Sequence, residues 1–199
     1  MHLAFLLFGV AALAVSGFQP LDPFTWLLEV FPTVIGAAVM IVTYRRFPLT
    51  TLLYALILVH ALILMLGGHY TYAQVPLGFW MEDAFGFTRN HYDRIGHFAQ
   101  GFVPAMIARE LFLRHRVVRH GAWLFAVIVL CCLGISAIYE LIEWWTAELS
   151  GSAADAFLGT QGDAWDTQKD MLMAGVGAAT ALVTLGRVHD RALRAIGHR

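Results

Sequence analysis

The sequence predicts an all-α integral membrane protein: six transmembrane helices, both termini on the cytoplasmic side (N-in/C-in), and an interfacial segment between the third and fourth helices. Three observations predict it. Of 199 residues, 59% are hydrophobic and only 14% charged, with a mean hydropathy of +0.66, whereas a soluble domain carries about 25% charge. The apolar residues come in blocks approaching the roughly 20 residues that cross a bilayer core as a helix. The basic residues gather where every second block ends, and in membrane proteins such a bias marks the cytoplasmic side.

The blocks cover residues 3–16, 24–44, 49–66, 91–113, 122–145 and 167–185, one polytopic domain over 1–199 with no internal repeat. The first is short for a span. Only His2 precedes it where a signal peptide has a basic region, so it reads as a retained span. Gln19-Pro20-Leu21-Asp22-Pro23 forms a turn because two prolines break the helix. Pro32 kinks the second block, which Arg45-Arg46 close. Gly67-Gly68 read as the stop of the third. Residues 69–90 carry Tyr70, Tyr72, Phe79, Trp80, Phe85 and Phe87, which suits a short helix around 79–85 lying in the interface, and the segment as a lid. The fourth block runs into a basic loop with Arg114, Arg116 and Arg119. The fifth holds Cys131 and Cys132; adjacent on a helix, they point apart, so they read as small apolar filler rather than a disulfide. After a small, acidic loop over 146–164, the sixth block is rich in Gly and Ala and suited to close packing, and a basic tail follows.

Orientation follows from the cations. Arg45 and Arg46, then Arg109, Arg114, Arg116 and Arg119, then Arg187, Arg191, Arg194 and Arg199 fall on one side of a six-span chain, ten of its 13 Lys and Arg. The opposite, outer side then collects His69 at the end of span three, His91, Asp93 and His97 at the start of span four, Glu140 and Glu143 at the end of span five, and Asp163, Asp166 and Asp170 at the start of span six.

The spacing of these residues carries the chemistry. Asp93/His97 and Asp166/Asp170 are i,i+4 pairs and Glu140/Glu143 an i,i+3 pair, so each presents two polar groups from one helix face. Carboxylates crowded together require protons or a cation. Imidazole with carboxylates suits zinc, manganese or iron, and an all-oxygen subset suits magnesium or calcium. The expected divalent-metal ligands are Asp93, His97, Glu140, Asp166 and Asp170. The catalytic set is those five with Glu143. His69, His91, Arg94, Asp163 and Lys169 are placed as substrate-binding. On this reading the protein is a metal-assisted hydrolase of a lipid or envelope substrate. A proton-coupled transporter using the carboxylates as a relay, and a scaffold in which they merely pin helices, stand as alternatives. The plain reading of each residue also stands: solvated acids at the interface, ordinary ion pairs with Arg94 and Lys169, or an N-cap at Asp163 or Asp166. The expected partners are the bilayer and a lipid-linked substrate, not nucleic acid; the oligomeric state is open.

Other polar residues read more simply. Mid-span His60 suits a hydrogen-bonded packing role, and Glu110 suits pairing with a cytoplasmic arginine. Glu29 lies near the outer end of span two, where it either joins the acidic group or reaches the interface. Tyr139, Trp144 and Trp145 suit an interfacial belt, and residues 159–162 a polar turn.

Two stretches carry a family resemblance. One is Gly68-His69-Tyr70-Thr71-Tyr72 followed by Asn90-His91-Tyr92-Asp93-Arg94 with His97-Phe98. The other is Tyr139-Glu140 with Glu143-Trp144, then Gly162-Asp163 and Trp165-Asp166-Thr167-Gln168-Lys169-Asp170-Met171. Over roughly residues 69–186 the chain resembles the YjdF-like bacterial inner-membrane family. That resemblance implies an inner-membrane location and no particular activity. A looser pattern, with Asp93, His97, Glu140 and Asp166 in corresponding places, is similar to VanZ-like membrane proteins and implies a role in the cell envelope.

Overall fold

The computed structural model describes residues 2–150 and 160–197. Seven helices make up the regular structure of the described residues: α1 (His2–Ser16), α2 (Pro23–Thr43), α3 (Thr51–Tyr70), α4 (Pro76–Phe85), α5 (Tyr92–Arg114), α6 (Ala122–Ser150) and α7 (Asp166–Gly197). Local chemistry starts two of them. The Asp22 side chain accepts from the Thr25 amide at 2.6 Å, with Pro23 in the first turn, and the Thr50 hydroxyl accepts from the Leu53 amide at 3.4 Å.

Four helices, α2, α3, α6 and α7, are long and apolar enough to cross a membrane. Their large apolar side chains, such as Val42, Leu130 and Val183, point outward, the inverse of a soluble protein. With 15 residues α1 falls short of that length. Although 23 residues long, α5 is polar, carrying Asp93, Arg94, His97, Arg109 and Glu110. It packs against α3, α6 and α7, so protein rather than lipid surrounds those groups, the condition under which a bilayer tolerates them.

Helices α5 and α7 meet backbone to backbone. A Cβ on Gly101 would lie 1.8 Å from the Ala174 carbonyl oxygen, and one on Gly177 would lie 2.1 Å from that of Phe98. Ala178 and Ala181 continue the seam into a core with Ala105, Met106, Ile128 and Cys132. Both cysteines are free.

The structure redraws several expected boundaries. Helix α3 passes through Gly67-Gly68 and ends two residues later at Tyr70, after which Thr71 adopts a left-handed φ of 58° and its amide bonds back to the Gly67 and Gly68 carbonyls. The glycines make room instead of stopping the helix. A Cβ on Gly68 would sit 3.0 Å from the Glu29 Cβ, and one on Gly67 would strike the Tyr72 ring at 2.3 Å. The basic tail is helical, because its Ala, Leu and Arg residues favour helix and His189 is wholly buried. Arg199 and residues 151–159 of the acidic loop lie outside the described residues.

That buried histidine belongs to a polar knot at the end of the bundle where α5 finishes. Glu110 accepts from the Thr50 amide at 3.0 Å and hydroxyl at 2.8 Å, from Arg114 at 2.8 Å and from His189 Nε2 at 2.9 Å. Arg109 donates to His189 Nδ1 at 2.9 Å and to Asp190 at 2.6 Å. The arginine pairing expected for Glu110 is present, and a buried histidine shares the same carboxylate.

Gly101→Ala and Gly177→Ala should each lower the thermal unfolding midpoint in detergent, at an overpacking cost of about 1–3 kcal/mol or more. Gly134→Ala, whose Cβ meets nothing within 4 Å, should leave the midpoint unchanged.

Candidate functional site

At the other end of α5 and α7 the first helical turns face each other. Asp93 and Glu110 are 17 positions apart on α5, about 25 Å at 1.5 Å per residue, so the two polar layers are separated by nearly the thickness of a bilayer core.

Arg94 is the hub. Its guanidinium contacts Asp170 and Asp166 closely, reaches Asp163 at 3.4 Å and Asp93 at 3.7 Å, and donates to the Asp166 carbonyl at 3.3 Å. Arg89 adds a second guanidinium, bonded to Asp166 at 2.8 Å and to the Thr160 carbonyl at 2.7 Å. Lys169 reaches Asp163 at 2.6 Å. That lysine, with the Trp165 amide, holds the Asp163 carboxyl below the usual aspartate range. Asn90 and Gln161 lock the two loops that lead into α5 and α7. The Asn90 amide donates to Gln161 Oε1 at 3.1 Å, and Gln161 Nε2 returns a bond to the Asn90 carbonyl at 2.9 Å. Asn90 Oδ1 also accepts from the Tyr92 amide at 3.0 Å, fixing the start of α5.

His97 lies one turn deeper. Its Nε2 is 3.4 Å from Asp93 Oδ1 and 3.7 Å from Asp170 Oδ1. Its Nδ1 is 3.1 Å from Gln100 Oε1 and 3.8 Å from Glu140 Oε1. Donation from Nδ1 to Gln100 Oε1 leaves Nε2 facing the two aspartates, where it carries either a proton or a metal ion. A metal-binding histidine is oriented in this way by its other nitrogen. Ligand atoms of Asp93, His97 and Asp170 lie within 4.8 Å of one another. Glu140 and Glu143 descend from α6 beside them, both buried, and Glu140 Oε1 has no hydrogen-bond partner among the described residues.

The structure therefore brings together Asp93, Arg94, His97, Glu140, Glu143, Asp163, Asp166, Lys169 and Asp170, and divides them. Of the five expected metal ligands, three form the compact group. Asp166 is taken up by two arginines, and Glu140 approaches the wrong imidazole nitrogen. His69 stands apart: it bonds the Ser16 carbonyl at 2.8 Å and ties α3 to α1. His91 sits edge-on to Phe87 with its ring centroid 4.8 Å away, and burial together with Arg89 lowers its pKa.

Sequence reasoning gave Arg89 no role, placed Tyr72 in the interface and Gln161 in a polar turn, and noted Asn90 only within the family resemblance. The Tyr72 ring is wedged between Gly67 of α3 and Gly96 of α5, whose added Cβ would lie 2.8 Å from it. Glu29 joins the site from α2, buried, with the Tyr139 hydroxyl 3.5 Å away. Tyr139 thus turns into the bundle instead of joining the exposed belt of Trp144 and Trp145. The paired glycines Gly67/Gly68 and Gly96 were the signal for this contact, since each removes a side chain where a ring or helix comes close.

Comparison with known proteins places the chain. The family described as "Predicted membrane protein (DUF2238)" matches residues 1–191. The chain belongs to that family. It is 53% identical over 186 residues to the inner membrane protein YjdF of Escherichia coli (strain K12), covering 93% of this chain and 88% of that one. No solved structure matches it. This DUF2238 protein is a multi-pass protein of the bacterial inner membrane, and the hub residues Arg89, Arg94, Asp166 and Asp170 all fall inside the matched region.

Arg94→Ala leaves Asp166 and Asp170 short of a buried partner, so it should cost about 3–5 kcal/mol. Adding Asp170→Asn should restore a measurable part of the lost unfolding midpoint, which a double-mutant cycle reads directly.

Proposed function

We propose that this protein is an envelope hydrolase whose divalent metal is held by Asp93, His97 and Asp170 beneath the outer face of a six-span, N-in/C-in bundle. The observation that carries the reading is the orientation of His97: Gln100 at one nitrogen, two aspartates at the other. A metal bound there supplies a water that is nucleophilic near neutral pH. Glu140, with an oxygen left unpaired in a buried position, would serve as the general base of such a site, and Glu143 lies one turn away. Asp93, Glu140, Glu143, Asp163, Asp166 and Asp170, with Glu29 beside them, outnumber the three permanent cations, and protons or a bound divalent ion balance the remainder.

The substrate side follows from the cations. Arg89, Arg94 and Lys169 line the approach from the outer loops and suit an anionic group such as the phosphate of a lipid-linked substrate. Exposed Trp80, Trp144, Trp145 and Trp165 surround this level, as expected at a membrane interface. A proton-coupled carrier is the second reading, favoured by Glu29, which extends the acids inward along α2. Against it, the stretch of α5 between the two polar layers buries Ala99, Val103, Ala105 and Met106, which relay no protons.

Elemental analysis of the detergent-purified protein should find one zinc, manganese or magnesium per chain. Asp93→Asn and Asp170→Asn should lose it. Glu140→Gln should retain it and lose turnover. Wild-type protein that carries no metal after purification with each ion supplied would remove the hydrolase reading. For the topology, a membrane-impermeant maleimide applied to spheroplasts should label a cysteine at Thr160 and spare one at Arg116, in a Cys131→Ser/Cys132→Ser background. The reverse pattern would invert the bundle.

A further inference from the structure

A groove opens just beyond the Glu110 knot, at the end of the bundle where α5 finishes. It is a cavity of about 370 Å³ lined by Leu113 and Arg114 of α5, His120 of the following loop, and Leu193 and Ile196 of α7. Arg94 and Arg114 are 20 positions apart on one helix, about 30 Å at 1.5 Å per residue. The groove therefore lies one bilayer-core thickness from the acidic site, at the headgroup level of the opposite leaflet. Trp123, 79% exposed in the first turn of α6, stands at the same level, where indoles favour the interface.

The wall has an apolar half and a basic half. Leu193 and Ile196, three apart, lie on the side of α7 that buries His189. Arg114 is fixed in place. Its Nη1 donates to Glu110 at 2.8 Å and to the Pro48 carbonyl at 2.6 Å, and its guanidinium lies 3.6 Å from the centroid of the Phe47 ring. Its Nη2 makes no hydrogen bond among the described residues, and 22% of the side chain is exposed. His120 is exposed and has no partner among the described residues. Carbonyls at the end of a helix repel an anion, but here those of Leu111, Phe112 and Leu113 already accept from the amides of His115, Val117 and Arg116 at 3.0, 2.9 and 3.2 Å.

Charge decides what fits. Of the two acids at this end among the described residues, Glu110 is wholly buried among its donors and Asp190 is paired with Arg109 at 2.6 Å. Arg116, Arg119, Arg187, Arg191 and Arg194 are exposed and have no ion pair among the described residues. The ammonium of a zwitterionic headgroup finds no free carboxylate here, whereas a headgroup charged only on its phosphate meets cations alone. A water-soluble polyanion has no counterpart for Leu113, Leu193 and Ile196. We propose that this groove binds one anionic phospholipid: the phosphate accepts from Arg114 and His120, and the start of an acyl chain lies on the three apolar side chains. Arginine suits phosphate, and basic pockets between helices at this depth hold anionic headgroups. The site is independent of the acidic one in place and chemistry.

The test is titration of the detergent-purified full chain with phosphatidylglycerol, with bound copies counted by native mass spectrometry. Wild type should saturate with one tightly held copy, which neither phosphatidylcholine nor glycerol phosphate displaces at the same concentration. His120→Glu puts a carboxylate in the groove and should weaken binding about tenfold. His120 is exposed and bonded to nothing among the described residues, so that variant should unfold at the wild-type midpoint without lipid. His120→Lys should retain the lipid. Arg191→Glu makes a larger charge change on the opposite, exposed side of α7 and should bind as wild type does, as should Asp93→Asn, whatever becomes of the metal. Equal weakening by Arg191→Glu would reduce the effect to diffuse surface charge and overturn the site. Unchanged affinity in His120→Glu, equal retention of phosphatidylcholine, or displacement by glycerol phosphate would each overturn it too.

Discussion

The backbone contact between α5 and α7 is the constraint on which the rest depends. Within a bilayer no hydrophobic drive pulls helices together, so close packing of small residues has to do so. Gly101 and Gly177 allow it, each with the partner's carbonyl within 2.1 Å of where a Cβ would be. A contact this close permits no slippage, and both ends exploit the fixed register. At one end Arg94 of α5 meets Asp166 and Asp170 of α7. At the other, Arg109 and Glu110 of α5 meet Asp190 and His189 of α7. A shift of one residue along either helix would separate all four pairings at once. The charges in turn punish the unregistered state, because each would be left buried without its partner.

The two ends differ in how completely their charges are met. Around Glu110 every carboxylate oxygen has donors, supplied by a backbone amide, a hydroxyl, an arginine and a histidine. Such a knot is finished, and its role is to hold α3, α5 and α7 together. The cluster around Arg94 is unfinished. Asp163 and Asp166 are matched by Arg89, Arg94 and Lys169, whereas Glu140 keeps an oxygen without a donor and Glu143 shares its buried level. The protein has tolerated that deficit on α6 although the same fold shows how to remove it. An unmet acid in one polar layer and a fully met one in the other is the contrast expected of a site beside a structural staple.

Much of this was legible in the sequence. Block lengths gave the helices, and the i,i+4 spacing gave the facing pairs of α5 and α7, because both depend only on helix geometry. What stayed hidden depended on tertiary approach. Gly67-Gly68 look the same whether they end a helix or admit a neighbour, and only the Tyr72 ring and Glu29 decide for the latter. Arg89 lies in a loop, outside any helical period, so no spacing linked it to Asp166. The polarity of α5 hides its position at the centre of the bundle, since composition cannot tell lipid from protein as the surrounding medium. Asn90 and Gln161 are ordinary loop residues until the fold brings them 2.9 Å apart.

The bundle is thus built to two standards of packing. On the α5–α7 side, glycines bring backbones into contact and leave space only for ionic groups. On the α1–α3 side, α1 is held by its ends and the middle is left apart, so a cavity persists where side chains of ordinary size would have closed it. The difference traces to where polar residues sit. Polar groups at helix termini can clamp without filling, whereas small residues along a helix's length force contact throughout. Because α3 takes part in both, Glu110 reaching Thr50 at one end and Tyr72 wedged against Gly67 at the other, it isolates the cavity from the acidic layer while tying both to one frame. The cavity between α1 and α2 is therefore lined by no carboxylate. The architecture keeps the apolar cavity and the ionic cluster in separate parts of the same membrane domain.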